Sequence, residues 1–464
     1  MYAISRLPRW LLAALACLAL PAQAMNVSQQ GLGQVLLFPY YTVRNGYDTL
    51  LSVTNTSANT VVARVRFREA LNGREVAAVN LVLDAHDVWT GAATSNAAGD
   101  GALLRTYDRT CTAPAFAPGA NPAAAELAFS KAAYTDTPPH ASDGASQSLD
   151  RVREGYVEVI AMGEFAGNAT GVPVWAYHDA LGEPADCARV AGSVAADYAG
   201  LLPPRDVLRG AATLIHVANG IAIDAPATHI EGFSDRQALW FPADSPHPDL
   251  ADGDAAEPAI YSHDGNDYAD PISTNSADTI SALLMATAVT NEFAADGVGS
   301  MTSWVLTYPT KRHYTDGVSP AKAPFSQTFQ DAGKACDLID GTAFSRETLR
   351  PGPPGNCANV CFHDLFVNSH AHALLCSAST VLSFNYSNQF GAAINRLDVS
   401  TNSVGMAGWA AVQPVGKGGI NGNDVSVGNG GLPVIGFAAF VRNNAAEAGN
   451  NRNYGSTATH RTFR

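Results

Sequence analysis

Thr60-Val-Val-Ala-Arg-Val-Arg-Phe-Arg68 decides the fold class. In an extended chain successive side chains point to opposite faces. Val61, Ala63, Val65 and Phe67 therefore share one side, and Val62, Arg64, Arg66 and Arg68 the other. The spacing predicts a half-buried strand with a basic, solvent-facing outer side. The run at 75–83 alternates again, with Val79, Leu81 and Leu83 together, and Leu71-Asn72-Gly73-Arg74 between the two reads as a hairpin turn of the Asn-Gly kind. Upstream, 34–42 and 49–55 are two further strands, the second ending in the turn-rich Asn55-Thr56-Ser57-Ala58-Asn59. Four short strands in about fifty residues argue for an antiparallel β-sandwich of immunoglobulin-like architecture.

Strand-like segments return at 155–163, 212–219, 283–290, 303–308, 380–386 and 434–441, each apolar and bounded by Gly, Pro or Asn. The expectation for the whole chain is all-β, in sandwich units with long loop insertions. The reading divides it into a leader at 1–24, a β-sandwich region at 25–112, an insertion or linker at 113–153 with a short helix at 123–131, a second β-rich region at 154–330, and a disulfide-containing β region at 331–464 that packs with the second. Within the second region, 241–276 holds eight carboxylates from Asp244 to Asp270 and no Lys or Arg, which reads as a long solvated loop.

The leader places the protein outside the cytoplasm. Arg6 and Arg9 precede an apolar run from Trp10 to Leu20, and Ala22-Gln23-Ala24 offers a small-x-small cleavage site. The run is shorter than the roughly 20 residues that span a bilayer, so the expectation is export as a soluble chain to the periplasm, the cell surface or the medium, with no membrane span. The full chain carries 28 Lys+Arg against 42 Asp+Glu, a formal charge of −14, and loss of the leader removes two more positive charges. Such an acidic chain is a poor partner for nucleic acid.

Six cysteines follow the leader: Cys111, Cys187, Cys336, Cys357, Cys361 and Cys376. An even number in an exported chain reads as disulfides, and their grouping predicts one bridge in the first half and two in the second. The spacing Cys357-x3-Cys361-x-His363 fits neither the common zinc pairs nor a haem attachment.

No local hydrolase signature is present: there is no G-x-S-x-G elbow and no H-E-x-x-H pair. A glycosidase needs only two carboxylates brought together by folding, and Asp84, Asp87 and Glu158 lie in or beside predicted strands. Calcium is the one cofactor expectation, because Asp264, Asp267 and Asp270 place hard oxygen ligands on a glycine-containing loop. Ligand-binding candidates are Tyr40 and Tyr41 in the first sheet region and Lys311, Arg312 and Tyr314 in a second cluster, since exposed rings beside cations suit carbohydrate or peptide contact.

The blocks Gly33-Gln-Val-Leu-Leu-Phe-Pro-Tyr-Tyr-Thr42, Asp48-Thr-Leu-Leu-Ser-Val-Thr-Asn55, Glu154-Gly-Tyr-Val-Glu-Val-Ile-Ala-Met-Gly163 and Tyr308-Pro-Thr-Lys-Arg312 resemble a group of secreted, β-rich cell-surface proteins of proteobacteria. The resemblance implies an extracellular or surface β protein and carries over no catalytic residues. The functional expectation is a structural or adhesive surface protein, acting by surface recognition or by strand-edge assembly with other surface proteins, itself or glycans. The alternative is a secreted carbohydrate-binding protein or glycosidase.

Overall fold

A computed structural model describes residues 25–119, 124–166, 177–178, 186–254, 260–263, 266–269, 275–295, 299–318, 321–329, 333–346, 373–401, 406–416, 431–442 and 453–463. The alternation at Thr60–Glu69 is realised as a ten-residue strand whose Val61, Ala63, Val65 and Phe67 enter the largest core. It lies in a seven-stranded sheet, sheet 1, whose order is Asn26–Val27, Thr228–Glu231, Val35–Thr42, Glu154–Phe165, Thr60–Glu69, Glu75–Leu83 and Cys111–Ala113. The turn into Glu75–Leu83 carries Gly73 at φ +70°, a left-handed conformation that favours glycine. Sheet 2 packs on sheet 1 and runs Ile221–Asp224, Leu208–His216, Asp48–Asn55, Val88–Ser95, Ala102–Thr106, Ala125–Ala128 and Ala117–Pro118. Leu51, Val53, Trp89, Leu104, Leu214 and Ile223 meet the sheet 1 residues in one core.

A second pair of sheets follows. Sheet 3 orders Ala373–Leu375, Asp337–Ser345, Ala407–Val415, Ala288–Ala294 and Arg461–Phe463, and sheet 4 orders Arg396–Val399, Ser379–Phe384, Ser300–Thr307, Ile435–Arg442 and Tyr454–Thr459. Val289, Phe293, Ile339, Ala410 and Val412 of sheet 3 pack on Trp304, Leu306, Leu382 and Phe384 of sheet 4. The opposite face of sheet 4 gives Val305, Val381, Phe437 and Val441 to the first core. Hydrogen bonds also join the two pairs, from Ala378 N to Leu71 O, from Ser379 N to Ala70 O and from Thr307 Oγ1 to Pro39 O. The pairing is antiparallel throughout except between Ser379–Phe384 and Arg396–Val399.

The molecule is mainly β in several antiparallel sheets, as the alternation predicts. The sheets do not confirm an immunoglobulin-like arrangement, because sheets 1 and 2 each hold seven strands where an immunoglobulin sheet holds three to five. Three local expectations change. The segment at 123–131 is not a helix: Ala125–Ala128 is a strand paired with Ala102–Thr106, and this long-range pairing overrides the helical preference of its alanines. The run at 283–290 spans the end of a helix, Ser276–Leu284, and the start of two strands. Glu154–Phe165, read as the opening of a second region, pairs on both sides within sheet 1, so the first sandwich extends well past 112.

Two disulfides form among the described residues, Cys111–Cys187 and Cys336–Cys376. The first is the bridge expected in the first half; Cys357 and Cys361 lie outside the described residues. Among the described residues no helix is long and apolar enough to cross a membrane.

Candidate functional site

The basic side of Thr60–Glu69 is not solvated. Arg64, Arg66 and Arg68 are between 1% and 3% exposed, covered by the acidic segment that the sequence placed in solvent. Arg64 donates to the carbonyls of Pro242, Ala243 and Ser245, and Arg66 to that of Pro246. Carboxylates complete the network. Arg66 Nε lies 2.6 Å from Glu75 and Arg68 Nε 2.6 Å from the fully buried Glu158. Burial pulls both Arg64 and Arg66 down, Arg66 to about 9, whereas for Arg68 the neighbouring Glu158 overcomes the burial and holds it above the usual range. The alternation was read correctly and the solvent exposure was not, because period two cannot say what covers the second face of a sheet.

The same covering absorbs the cationic cluster. Arg312 pairs with Asp249, and Lys311 is 1% exposed, 3.4 Å from Asp337 and donating to Leu375 O. Burial lowers Lys311, and Asp337 opposes that shift. Tyr314, 6% exposed, donates to Asp278 Oδ1 at 2.8 Å and keeps its hydroxyl 2.9 Å from Ser281 Oγ. Tyr40 and Tyr41 are fully buried, donating to Glu154 Oε2 and Val152 O. Of these five candidates, expected as surface ligand contacts, Tyr40, Tyr41, Lys311 and Tyr314 are buried, and Arg312 is partly exposed and paired with Asp249. Tyrosines and cations next to one another suit a sheet junction as well as a ligand.

The three candidate carboxylates fall in two separate places. Glu158 is locked on Arg68 beneath the covering segment. Asp84 and Asp87 sit at a turn, 4.0 and 3.9 Å from His178 Nδ1, and burial raises Asp87. Neither lines any of the depressions described below.

For metals, His247, Asp249 and Asp252 bring one ligand atom each within 4.8 Å of the others. Their oxygens are already used: Arg312 holds Asp249, while Asp252 Oδ2 accepts from Asp249 N and meets His247 Nδ1 at 2.7 Å. A cation there would face a guanidinium, so this donor set fits a locked turn. Of the calcium candidates, Asp264 and Asp270 lie outside the described residues, and Asp267 falls in Asn266–Ala269, paired with Ile260–His263.

The outer face of sheet 3 is different. Phe344 and Trp409 stand opposite each other in neighbouring strands, their rings 4.2 Å apart and 14° from parallel. Trp409 remains 42% exposed. Trp409 also faces Glu292 across its other neighbour, and Glu292 is fixed through its backbone by Trp304 Nε1 at 3.0 Å. Gly408 permits the pairing: a Cβ there would lie 1.8 Å from Phe344 O, so only glycine lets the strands approach this closely. On the same face Ala411 lies between Thr342 and Thr290, and Gln413 opposite Asp340. The result is a face-to-face ring stack flanked by a carboxylate, hydroxyls and an amide on a rigid sheet. No motif marks it in the sequence; the signal was an aromatic residue on the polar side of an alternating run, as in Ala407-Gly-Trp-Ala-Ala-Val-Gln.

Comparison with protein-family models, with curated proteins and with solved structures finds no match for this chain.

Proposed function

We propose that the protein is an exported recognition protein that binds saccharide chains on the outer face of sheet 3, serving adhesion at the cell surface or in the extracellular space. The observation that carries this reading is the half-exposed Trp409 stacked on Phe344. A sugar ring has an apolar face that stacks on an indole and hydroxyls at its rim that need partners, which Glu292, Thr290, Thr342 and Gln413 supply. The exported location rests on the leader at 1–24 and agrees with the two disulfides. Recognition by a face is favoured over assembly through edges because the outermost strands run only two to six residues, which leaves strand addition few main-chain bonds to make.

The test is a glycan-array screen of the mature, oxidised protein, followed by calorimetric titration of the hits against Trp409→Ala and Tyr107→Ala. Tyr107 is 60% exposed on the outer face of sheet 2 and serves as the control ring. The expected result is loss of binding in Trp409→Ala with Tyr107→Ala unchanged. Absence of any glycan hit, or binding that survives Trp409→Ala, overturns the proposal.

A further inference from the structure

We infer that the saccharide is anionic, and that Arg346 and Arg442 receive its acidic group. This rests on the saccharide reading of the Trp409 face and adds the chemical class of the ligand. The strands that carry the ring pair continue past it into an open depression of about 490 Å³, lined by Ala294, Ser300, Ser345, Arg346, Ala407 and Arg442, with Ala295 and Met406. Ala407 and Ala294 lie two residues along their strands from Trp409 and Glu292, about 7 Å away and on the same face. One chain can therefore stack a ring on Trp409 and reach the depression with its next residue.

Among the described residues the lining of that depression holds two arginines and no carboxylate. Among the described residues no ion pair engages Arg346 or Arg442; Arg442 makes only a 3.4 Å contact with Ser300 Oγ. Most of the other described arginines are tied to carboxylates. Arg44, Arg64, Arg66, Arg68, Arg74, Arg105, Arg151, Arg205 and Arg312 all meet carboxylates. In a chain of net charge −14, two exposed guanidinium groups left over at one end of an aromatic platform form a local positive site. A guanidinium offers a planar fork of donors that matches a carboxylate or a sulfate. Neutral hydroxyls would need no such pair. The shared chemistry is a pyranose chain bearing one acidic group per residue, supplied either by uronic acids or by sulfate esters.

Calorimetry on the full mature protein distinguishes the cases, using an oligogalacturonate, a sulfated oligosaccharide and an uncharged oligosaccharide of equal length. The expected result is that at least one acidic ligand binds more than tenfold tighter than the uncharged one, with an affinity that falls as salt rises. In Arg346→Gln/Arg442→Gln this preference disappears while weak binding of the uncharged chain persists. Both arginines are exposed, so the double variant keeps its fold. Trp409→Ala loses all three ligands. Equal affinity for charged and uncharged chains, or an unchanged preference in the double arginine variant, overturns the anionic inference and leaves the saccharide reading standing. Binding of the acidic ligand that survives Trp409→Ala overturns both. Failure of every ligand, on a protein whose circular dichroism shows it folded, also removes both.

Discussion

Replacing Glu158 by Gln tests the charge network beneath the acidic segment. Glu158 is fully buried and 2.6 Å from Arg68 Nε. Its carboxylate is the counter-charge that keeps Arg68 ionised beside Arg66 and Arg64. With charge centres about 4 Å apart and an effective dielectric near 20, the attraction is about 4 kcal/mol. Removing one member of a buried pair costs about 3–5 kcal/mol, because the survivor keeps its desolvation cost. The amide retains the shape and one acceptor, so packing is nearly preserved and the loss isolates the charge. The double variant Arg68→Met/Glu158→Leu removes both charges from the same apolar surroundings and is expected to recover most of the stability. Urea unfolding at pH 7, followed by tryptophan fluorescence and circular dichroism on the wild type, Arg68→Met, Glu158→Leu and the double variant, gives the coupling. A loss below about 1 kcal/mol in Glu158→Gln, or a double variant as weak as the single one, would refute the buried-pair reasoning.

Other perturbations follow the same geometry. Burial pushes His460 down to about 4, so the folded state resists protonating it; stability is full above the unfolded value near 6.5 and is lost as pH falls towards 4, by roughly 3 kcal/mol in all. Urea midpoints at pH 7 and pH 4.5 should therefore differ less in His460→Gln than in the wild type. Gly408→Ala drives a methyl into Phe344 O, with an expected cost of about 1–3 kcal/mol and a loss of saccharide binding, read by thermal unfolding and calorimetry. Replacing Cys336 and Cys376 by serine opens a 40-residue separation and should cost about 4 kcal/mol in the chain-entropy account, measured by urea unfolding against the oxidised protein.

Period two at Thr60–Glu69 and at Glu75–Leu83 was enough to place Val61, Val65, Val79 and Leu81 in the core and to set the turn at Gly73, because these are local consequences of a pleated chain. What covers the other face depends on segments more than 150 residues away. Nothing in Thr60–Glu69 itself distinguishes arginines in water from arginines capped by the carbonyls of Pro242 to Pro246. The acidic composition of 241–276 pointed to solvent for the same reason: its Asp249 is satisfied by Arg312, whose partnership arises only on folding. Trp409 stayed hidden because one exposed ring has no periodic signature. It becomes a site only through Phe344 on a strand 65 residues earlier.

The sheet layering narrows where a partner can bind. Sheet 1 is covered outside by 233–252 and by the helices Ser276–Leu284 and Lys311–Thr315, and sheet 4 lies between sheet 3 and the first sandwich. Among the described residues, sheets 2 and 3 are the sheets that turn a broad face to solvent. Sheet 2 offers a shallow groove of about 390 Å³ with Leu50, Tyr107 and small residues, and the cation that lines it, Arg105, is tied to Glu126. Sheet 3 offers paired rings with a carboxylate beside them and, past their end, Arg346 together with Arg442 of sheet 4, neither with a carboxylate partner among the described residues. Apolar area is available on both faces, whereas the exposed ring pair with polar groups beside it stands on sheet 3. Because uncompensated polar groups confer specificity more than area does, the proposed saccharide site is put on the face built around Trp409.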